Sequence, residues 1–478
     1  MKKAVSYEPT VGLEVHVQLK TNTKIWCGCP NRYGISPNTD ICPVCLGYPG
    51  ALPVLNARAV ELTVRAGLLL GCDINRYSKW DRKNYFYPDM PKNFQISQYD
   101  LPLCVGGGLD IEVEGERKRV NLTRIHLEED VAKNTHYPGR SVIDFNRAGT
   151  PLMEIVTEPD LSTADEAMAF LLALKEMLSY GEISDCNLEE GNIRCDINCS
   201  VRLAGAEELG TKAEIKNMNT FKGVHRALSY EIKRQTTEVQ RGGEIVQETR
   251  RWDDGGGMTQ SMRTKEYAHD YRYFPEPDLV PVRLEEKAIE RIRSELPEMP
   301  ASRRLRFVES YGLPAYDAGV LVAEKEVADF FEAVAGICSN YKTISNWIMT
   351  ELLRAISDSG QGLSDSSITP ENLAGLIGLV DGKKVNMAGA KDVFQVLFEE
   401  GGDPAAIVET KGLSQVSDEG AIESFVDQAI QENEKSANDV REGNDKALQH
   451  LVGQVMRLSR GKANPQVVLL LLREKLKN

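Results

Sequence analysis

At about residue 284 the hydrophobic period of this chain changes, and that change limits the possible folds more than any other feature. Before it, apolar residues recur at every second position. Val11, Leu13, Val15, Val17 and Leu19 alternate with other residues, and Ile193, Cys195, Ile197, Cys199, Val201 and Leu203 do the same. A period of two is the pattern of a strand with one buried face. One helix is expected among these strands. Ser162 or Thr163 caps it, Asp165 and Glu166 occupy its first turn, and Ala167, Phe170, Leu171, Leu174 and Leu178 form its stripe. Beyond 284 the spacing is helical, most clearly from Ile344 to Leu353 and after the cap Thr369-Pro370-Glu371. Gly401-Gly402-Asp403-Pro404 reads as a linker, and the Gly461–Pro465 segment breaks the last two helices. The expected class is α+β, with a large strand-rich domain over 1–293, a helical domain over 294–405 and a small helical tail over 406–478.

Composition excludes several classes. With 41% hydrophobic and 27% charged residues, the chain resembles ordinary water-soluble globular proteins. The opening Met1–Pro9 carries two lysines but no apolar core, so a signal peptide is not expected. No apolar run approaches the roughly 18 residues of a membrane span. Ten cysteines in 478 residues are too sparse for a secreted disulfide scaffold, and a reduced, cytoplasmic protein is expected. The net charge of -14 opposes an embrace of nucleic acid by the whole surface. From Lys435 onward, however, nine basic residues stand against four acidic ones. A basic tail on an acidic body suggests local contact with an acidic partner such as RNA, a solvated helical face being the plainer alternative.

Cys27-Gly28-Cys29 and Cys42-Pro43-Val44-Cys45 are separated by twelve residues. Two close pairs about one hairpin apart can set four thiolates around a zinc ion, and four protein ligands would make that zinc structural. The alternative is four unrelated reduced thiols.

Opposite the apolar strand faces lie charged ones. Glu14 and His16 are two apart and share a side, as do Arg194, Asp196, Asn198 and Arg202. Lys212, Glu214 and Lys216 alternate with Ala213 and Ile215, His126-Leu127-Glu128-Glu129-Asp130 packs three carboxylates beside a histidine, and Glu154 follows. If these strands are neighbours, one face gathers the oxygen ligands and cations that suit Mg²⁺ and a nucleotide. Any one strand alone is better explained as a solvated face. No G-x-x-x-x-G-K-[ST] loop occurs, and the glycine triplets at 106–108 and 255–257 read as turns.

Gly12-Leu13-Glu14-Val15-His16-Val17-Gln18-Leu19, Asp81–Asp89, Gln95–Tyr99, Asp144–Leu152, Asp270–Asp278 and Gly312–Asp317 together resemble the B subunits of tRNA-dependent amidotransferases. The resemblance covers nearly the whole chain. It implies a cradle-shaped catalytic domain, a helical domain and a tRNA-binding tail, in a complex with an amidase (the A subunit) that liberates ammonia from glutamine and with a small C subunit. The implied ligase chemistry phosphorylates the side-chain carboxylate of misacylated Glu-tRNA(Gln) or Asp-tRNA(Asn) with ATP, then amidates it with ammonia from the glutaminase partner. Carried over by this likeness, His16, Glu129 and Glu154 are Mg²⁺ ligands with Glu14 and Glu128 beside them. Strand alternation instead favours Glu128 over Glu129, because Glu129 falls in phase with Ile125 and Leu127, unless a bulge intervenes. Lys83, Tyr87, Arg147, Asp196, Glu214 and Lys216 are nominated for substrate or ammonia handling, and Arg457, Arg460 and Lys462 for tRNA contact. A non-catalytic zinc- and tRNA-binding protein is the main competing reading. A self-sufficient glutaminase finds no Ser-rich amidase signature or Cys-His-Glu set to support it.

Overall fold

The change of period is a change of architecture. A computed structural model describes residues 6–188, 190–264, 270–415, 419–442, 444–459 and 462–476. The chain forms two compact units, Met1–Pro297, which is strand-rich, and Glu298–Asn478, which is helical. The class is α+β, as expected.

The first unit is built on one large sheet. Its strands are β1 (Tyr7–Gln18), β2 (Asp73–Ile74), β3 (Cys104–Val105), β4 (Gly108–Val113), β5 (Glu116–Glu129), β6 (Pro151–Thr157), β7 (Ile193–Leu203), β8 (Ala213–Lys216), β9 (Glu248–Asp253) and β10 (Met258–Thr264). They run in the order β10-β9-β8-β7-β1-β6-β5-β3-β2, with β4 paired to β5. The alternating β1 therefore lies between β7 and β6, antiparallel to both. Its Val11, Leu13, Val15 and Val17 are fully buried, whereas Glu14 and His16 are only partly so. Each such apolar side chain contributes roughly 1.5–3 kcal/mol on burial. A one-residue slip of β1 would forfeit all four and place Glu14 and His16 in the core, so the register is firmly set.

Three helices, α1 (Ala57–Leu69), α2 (Ala164–Tyr180) and α3 (Phe221–Gln240), pack with the apolar strand faces into a single hydrophobic core. The α2 start follows the sequence signal: Thr163 is the cap, its hydroxyl accepting from the Glu166 N–H. Ala167, Phe170, Leu171, Leu174 and Leu178 are all buried.

In the second unit the expected Ile344–Leu353 helix is the middle of a longer one. Tyr341–Trp347 continues through a π-helical turn at Ile348–Leu352 into Leu353–Ser359, and Gly360 ends it with a φ of 68°. Thr369 caps Pro370–Asp381 as expected. At the expected linker, Gly401 and Gly402 take φ values of 74° and 107°, which favour glycine. Asp403 then caps a further helix, Pro404–Thr410, whose Val408 belongs to the same core as Phe307 and Phe394. The expected boundary between 405 and 406 thus falls inside a helix, and this core continues past it. A separate cluster holds the final helices together through Ile422, Val426, Leu448, Leu451, Val455, Val468 and Leu472. Among the described residues no helix is long and apolar enough to cross a membrane.

Candidate functional site

Strand register assembles the polar face. Arg194 on β7, His16 on β1, Glu154 on β6 and His126 on β5 stand directly opposite one another on four neighbouring strands. The next row is Asp196, Glu14, Val156 and Arg124, and Glu214 on β8 faces Asn198 on β7. Directly paired residues project to the same side, so the adjacency that the sequence left open is present.

His16 Nε2 lies 3.2 Å from Glu154 Oε2, and His126 Nε2 lies 3.6 Å from Glu128 Oε2 and 3.7 Å from Glu154 Oε2. Ligand atoms of His16, Glu128 and Glu154 all fall within 4.8 Å of one another. Burial alone would lower the His16 pKa, but the hydrogen bond and charge of Glu154, with Glu128 and Asp196, outweigh it and raise it. Burial likewise opposes ionisation of Glu154, yet His126, His16 and Lys83 hold its carboxyl far below the usual range. The imidazole and the two carboxylates therefore share charge rather than carrying it unpaired. As a donor set they fit a divalent cation. The two carboxylates are hard oxygen ligands, and the imidazole extends the choice from Mg²⁺ towards Mn²⁺.

Glu129 is not part of this group. The β5–β6 ladder runs Glu129↔Pro151, Glu128↔Leu152 and His126↔Glu154, with its one irregularity at Val156/Thr157. No bulge therefore reverses the alternation at 128–129. Glu129 lies on the other side of β5, its Oε2 taking Lys92 Nζ at 2.7 Å and its Oε1 the Ile96 N–H at 2.8 Å. Glu128 instead accepts from Ser97 Oγ at 3.0 Å. On this geometry Glu128, and not the Glu129 implied by family likeness, shares a face with His16 and Glu154.

The other nominated residues fall into separate clusters. Asn198 Nδ2 donates to Glu14 Oε1 at 2.8 Å. Lys216 bridges Asp196 and Glu214, and both carboxylates raise its pKa against the opposing effect of burial. Lys83 stands over the Tyr271 ring at 5.2 Å, its pKa raised by Glu128 and Glu154 against burial. Tyr87 is exposed. Arg147 Nε and Nη2 donate to the carbonyls of Val131 and Ala132 at 2.9 and 3.0 Å.

Sequence reasoning placed His126, Arg194 and Asp130 on the charged face but gave none of them an individual role. Asp130 is buried and accepts from both Gln18 Nε2 and Arg194 Nη2 at 2.8 Å. Burial opposes its ionisation, but Arg194 and Arg147 lower its pKa. A signal existed, since His126 is two residues before Glu128, and Arg194 two before Asp196. A cavity of about 950 Å³ adjoins this end of the sheet, lined by Gln18, Arg147, Arg194 and the loop between the cysteine pairs.

The four cysteines converge. Their sulfurs lie within 4.8 Å of one another, with Cys42 and Cys45 3.9 Å apart. A tetrahedral zinc with bonds of about 2.3 Å requires sulfurs about 3.8 Å apart, so the set fits. A hydrogen bond from Cys27, assisted by Lys24, holds the Cys45 thiol down to about 5, while the Cys27 thiol is pushed up in return. The other six cysteines stay out of this centre; five are buried and Cys338 is half-buried.

In the tail, the Asp445–Leu458 helix buries Leu448, Leu451 and Val455 and leaves Arg457 exposed. Lys462 is also exposed, and Arg460 lies outside the described residues.

Comparison with known proteins gives a consistent picture. Residues 9–290 match the model of the GatB/GatE catalytic domain and residues 329–476 that of the GatB domain. The aspartyl/glutamyl-tRNA(Asn/Gln) amidotransferase B subunit from Caldanaerobacter subterraneus is 54% identical over 473 residues, covering 99% of this chain and 100% of the relative. The protein of that name from Caldicellulosiruptor bescii is 52% identical over 477 residues, covering 99% of each. That from Brevibacillus brevis is 50% identical over 470 residues, covering 98% of each.

Proposed function

The chain belongs to the family of aspartyl/glutamyl-tRNA(Asn/Gln) amidotransferase B subunits, and from that premise we propose that its first unit carries out the ATP-dependent step of the reaction. The substrate is the side-chain carboxylate of Glu or Asp misacylated on tRNA. Attack of that carboxylate on the γ-phosphate of ATP gives an acyl phosphate and releases ADP. Ammonia, supplied by a glutaminase partner, then displaces phosphate and leaves the amide. Activation is needed because hydroxide is a poor leaving group and phosphate a good one. The observation that carries this reading is the convergence of His16, Glu128 and Glu154 on one face, beside Lys83, Arg194 and Arg147.

His16, Glu128 and Glu154 would hold a divalent cation, whose chemistry would be to neutralise charge on the transferring phosphoryl group. The remaining residues position the reactants. His126 and Arg124 stand beside Glu154 and hold it ionised and oriented. Arg147 and Arg194, fixed around Asp130, are placed to take phosphate oxygens, and Lys83 faces the same carboxylates. Glu14, Asp196, Glu214 and Lys216 form a polar track along the neighbouring strands, suited to handling ammonia or the amino-acid end of the substrate. The cysteine quartet holds a structural zinc, and the basic tail supplies affinity for tRNA. The A and C subunits of the complex are the partners, and a translation enzyme of this kind works in the cytoplasm.

The test is ATP hydrolysis by the reconstituted complex, dependent on misacylated tRNA. Glu154→Gln should abolish it while glutamine hydrolysis by the partner persists. Unchanged hydrolysis in that variant would remove the carboxylate group from the mechanism.

A further inference from the structure

The loop between the two cysteine pairs does more than connect them. It grips the short turn Phe145–Arg147 from one side. Asn38 Oδ1 accepts the Phe145 N–H at 2.7 Å, the Asn38 N–H donates to Asp144 Oδ1 at 3.0 Å, and Asn38 Nδ2 donates to the Ile143 carbonyl at 3.2 Å. Next to it, the Asp40 N–H donates to Asn146 Oδ1 at 2.9 Å, and Asn146 Nδ2 returns a bond to the Ser36 carbonyl at 2.8 Å. From beneath, the fully buried Lys24 donates from Nζ to the Phe145 carbonyl at 3.3 Å. Asn38 adopts a φ of 58°, a conformation that costs a non-glycine residue energy and is kept here by these bonds.

Arg147 is the next residue along. Its Nε and Nη2 are committed to the ends of the 131–132 backbone, and among the described residues its Nη1 makes no hydrogen bond. Both Arg147 and the gripping loop line the 950 Å³ cavity. We infer that the inter-cysteine loop is a positioning element for Arg147, with Asn38 and Asn146 setting where its guanidinium meets an anionic group of the substrate. The loop is itself anchored at both ends by the convergent thiols, so the thiol centre acts on the site through the turn it holds. Mostly solvent-exposed hydrogen bonds of this sort add little to stability one by one. Their effect is on geometry, where a misplacement of about 1 Å is enough to cost a large factor in rate or binding. This inference rests on the reading of Arg147 as a phosphate-handling residue.

The experiment is a double-mutant cycle in the reconstituted complex, following ATP hydrolysis that depends on misacylated tRNA. The clamp is removed by Asn38→Gly with Asn146→Ala; glycine tolerates the positive φ, so the backbone is not strained. The KM for ATP should rise about tenfold with kcat within about twofold, the scale expected for a displaced binding group. Arg147→Ala should raise it at least as far, and adding the clamp variant to Arg147→Ala should raise it no further. Additive effects would overturn the inference, because the clamp would then act elsewhere. No change in Arg147→Ala itself would overturn both the inference and the role given to Arg147. Melting temperature and thiol protection report on the fold. Should the double clamp variant be unstable, Asn38→Gly alone gives a smaller rise that must also vanish in the Arg147→Ala background.

Discussion

Glu128 and Glu129 are adjacent carboxylates of equal burial, and replacing each by Gln should separate two effects that proximity in sequence would merge. Glu128→Gln removes one of two carboxylates offered to the cation. Loss of an outer partner of a metal ligand costs about 10–100-fold in affinity, so loss of a ligand should cost at least about 100-fold. Stability should also fall, because despite burial and the charge of Glu154, His126 and Lys83 hold the Glu128 carboxyl below its ordinary range. Glu129→Gln should leave cation binding intact and act on stability alone. Its carboxylate answers Lys92, whose side chain is only 14% exposed, and Gln leaves that ammonium without its counter-charge. Breaking a buried pair costs about 3–5 kcal/mol; the partial exposure of Lys92 and the retained bond to Ile96 N–H reduce this to about 2–3 kcal/mol. At roughly 2–4 °C per kcal/mol for a unit of this size, the melting temperature should fall by about 5–10 °C. Mn²⁺ binding followed by electron paramagnetic resonance and thermal unfolding of the same samples read the two quantities. A Glu129→Gln protein that melts like the parent but no longer binds Mn²⁺ would refute the strand-phase reasoning.

Other outcomes are expected. Purified protein should carry about one zinc per chain with Cys27, Cys29, Cys42 and Cys45 protected from alkylation, and Cys42→Ser should lose both properties; four freely alkylated thiols in native protein would exclude the site. Glu231 is fully buried among Arg234, Gln235 and Thr259, which hold its carboxyl below its ordinary 4.5 despite burial. Its folded pKa is depressed, so its stabilisation is complete above about 4.5 and is lost as pH falls through the lowered value. Glu231→Gln should therefore destabilise by about 3 kcal/mol at neutral pH, and urea unfolding should show the gap to the parent narrowing in acid. Removal of the chain from residue 416 keeps the Pro404–Thr410 helix with its core, so ATP binding should survive. Affinity for misacylated tRNA should fall and lose part of its salt dependence; equal affinity at equal salt would free the tail of that role.

Much of the site was legible because a strand obeys a simple rule. Period two placed Val11, Leu13, Val15 and Val17 on one side and Glu14 and His16 on the other, and a register set by burial then had no freedom to reverse them. The same rule selected Glu128 over Glu129 from the phase of Ile125 and Leu127, against the role implied by family likeness. Helix caps were equally local: Thr163 and Thr369 act within a few residues, so their effect is written where they stand. The thiol quartet was legible from spacing alone, because two close pairs on one loop need little help to meet.

What the sequence left undecided was which strands are neighbours. Residues 14–16, 126–128, 154 and 194–196 are far apart in the chain, and no local preference states that β7, β1, β6 and β5 lie side by side. That order follows from burying their apolar faces together with α1, α2 and α3, a cooperative choice made by the whole unit. Only after it is made does Glu154 come within reach of both histidines, and Asp130 become the shared partner of Arg194 and Arg147. The limit of the helical core was decided in the same way. Gly401 and Gly402 signal a break in the backbone, but Val408 lies in the same core as Phe394 and carries that core past the break. Periodicity determines which face of each element is buried; tertiary packing determines which faces meet, because contacts distant in sequence are stabilised only by the core that forms them.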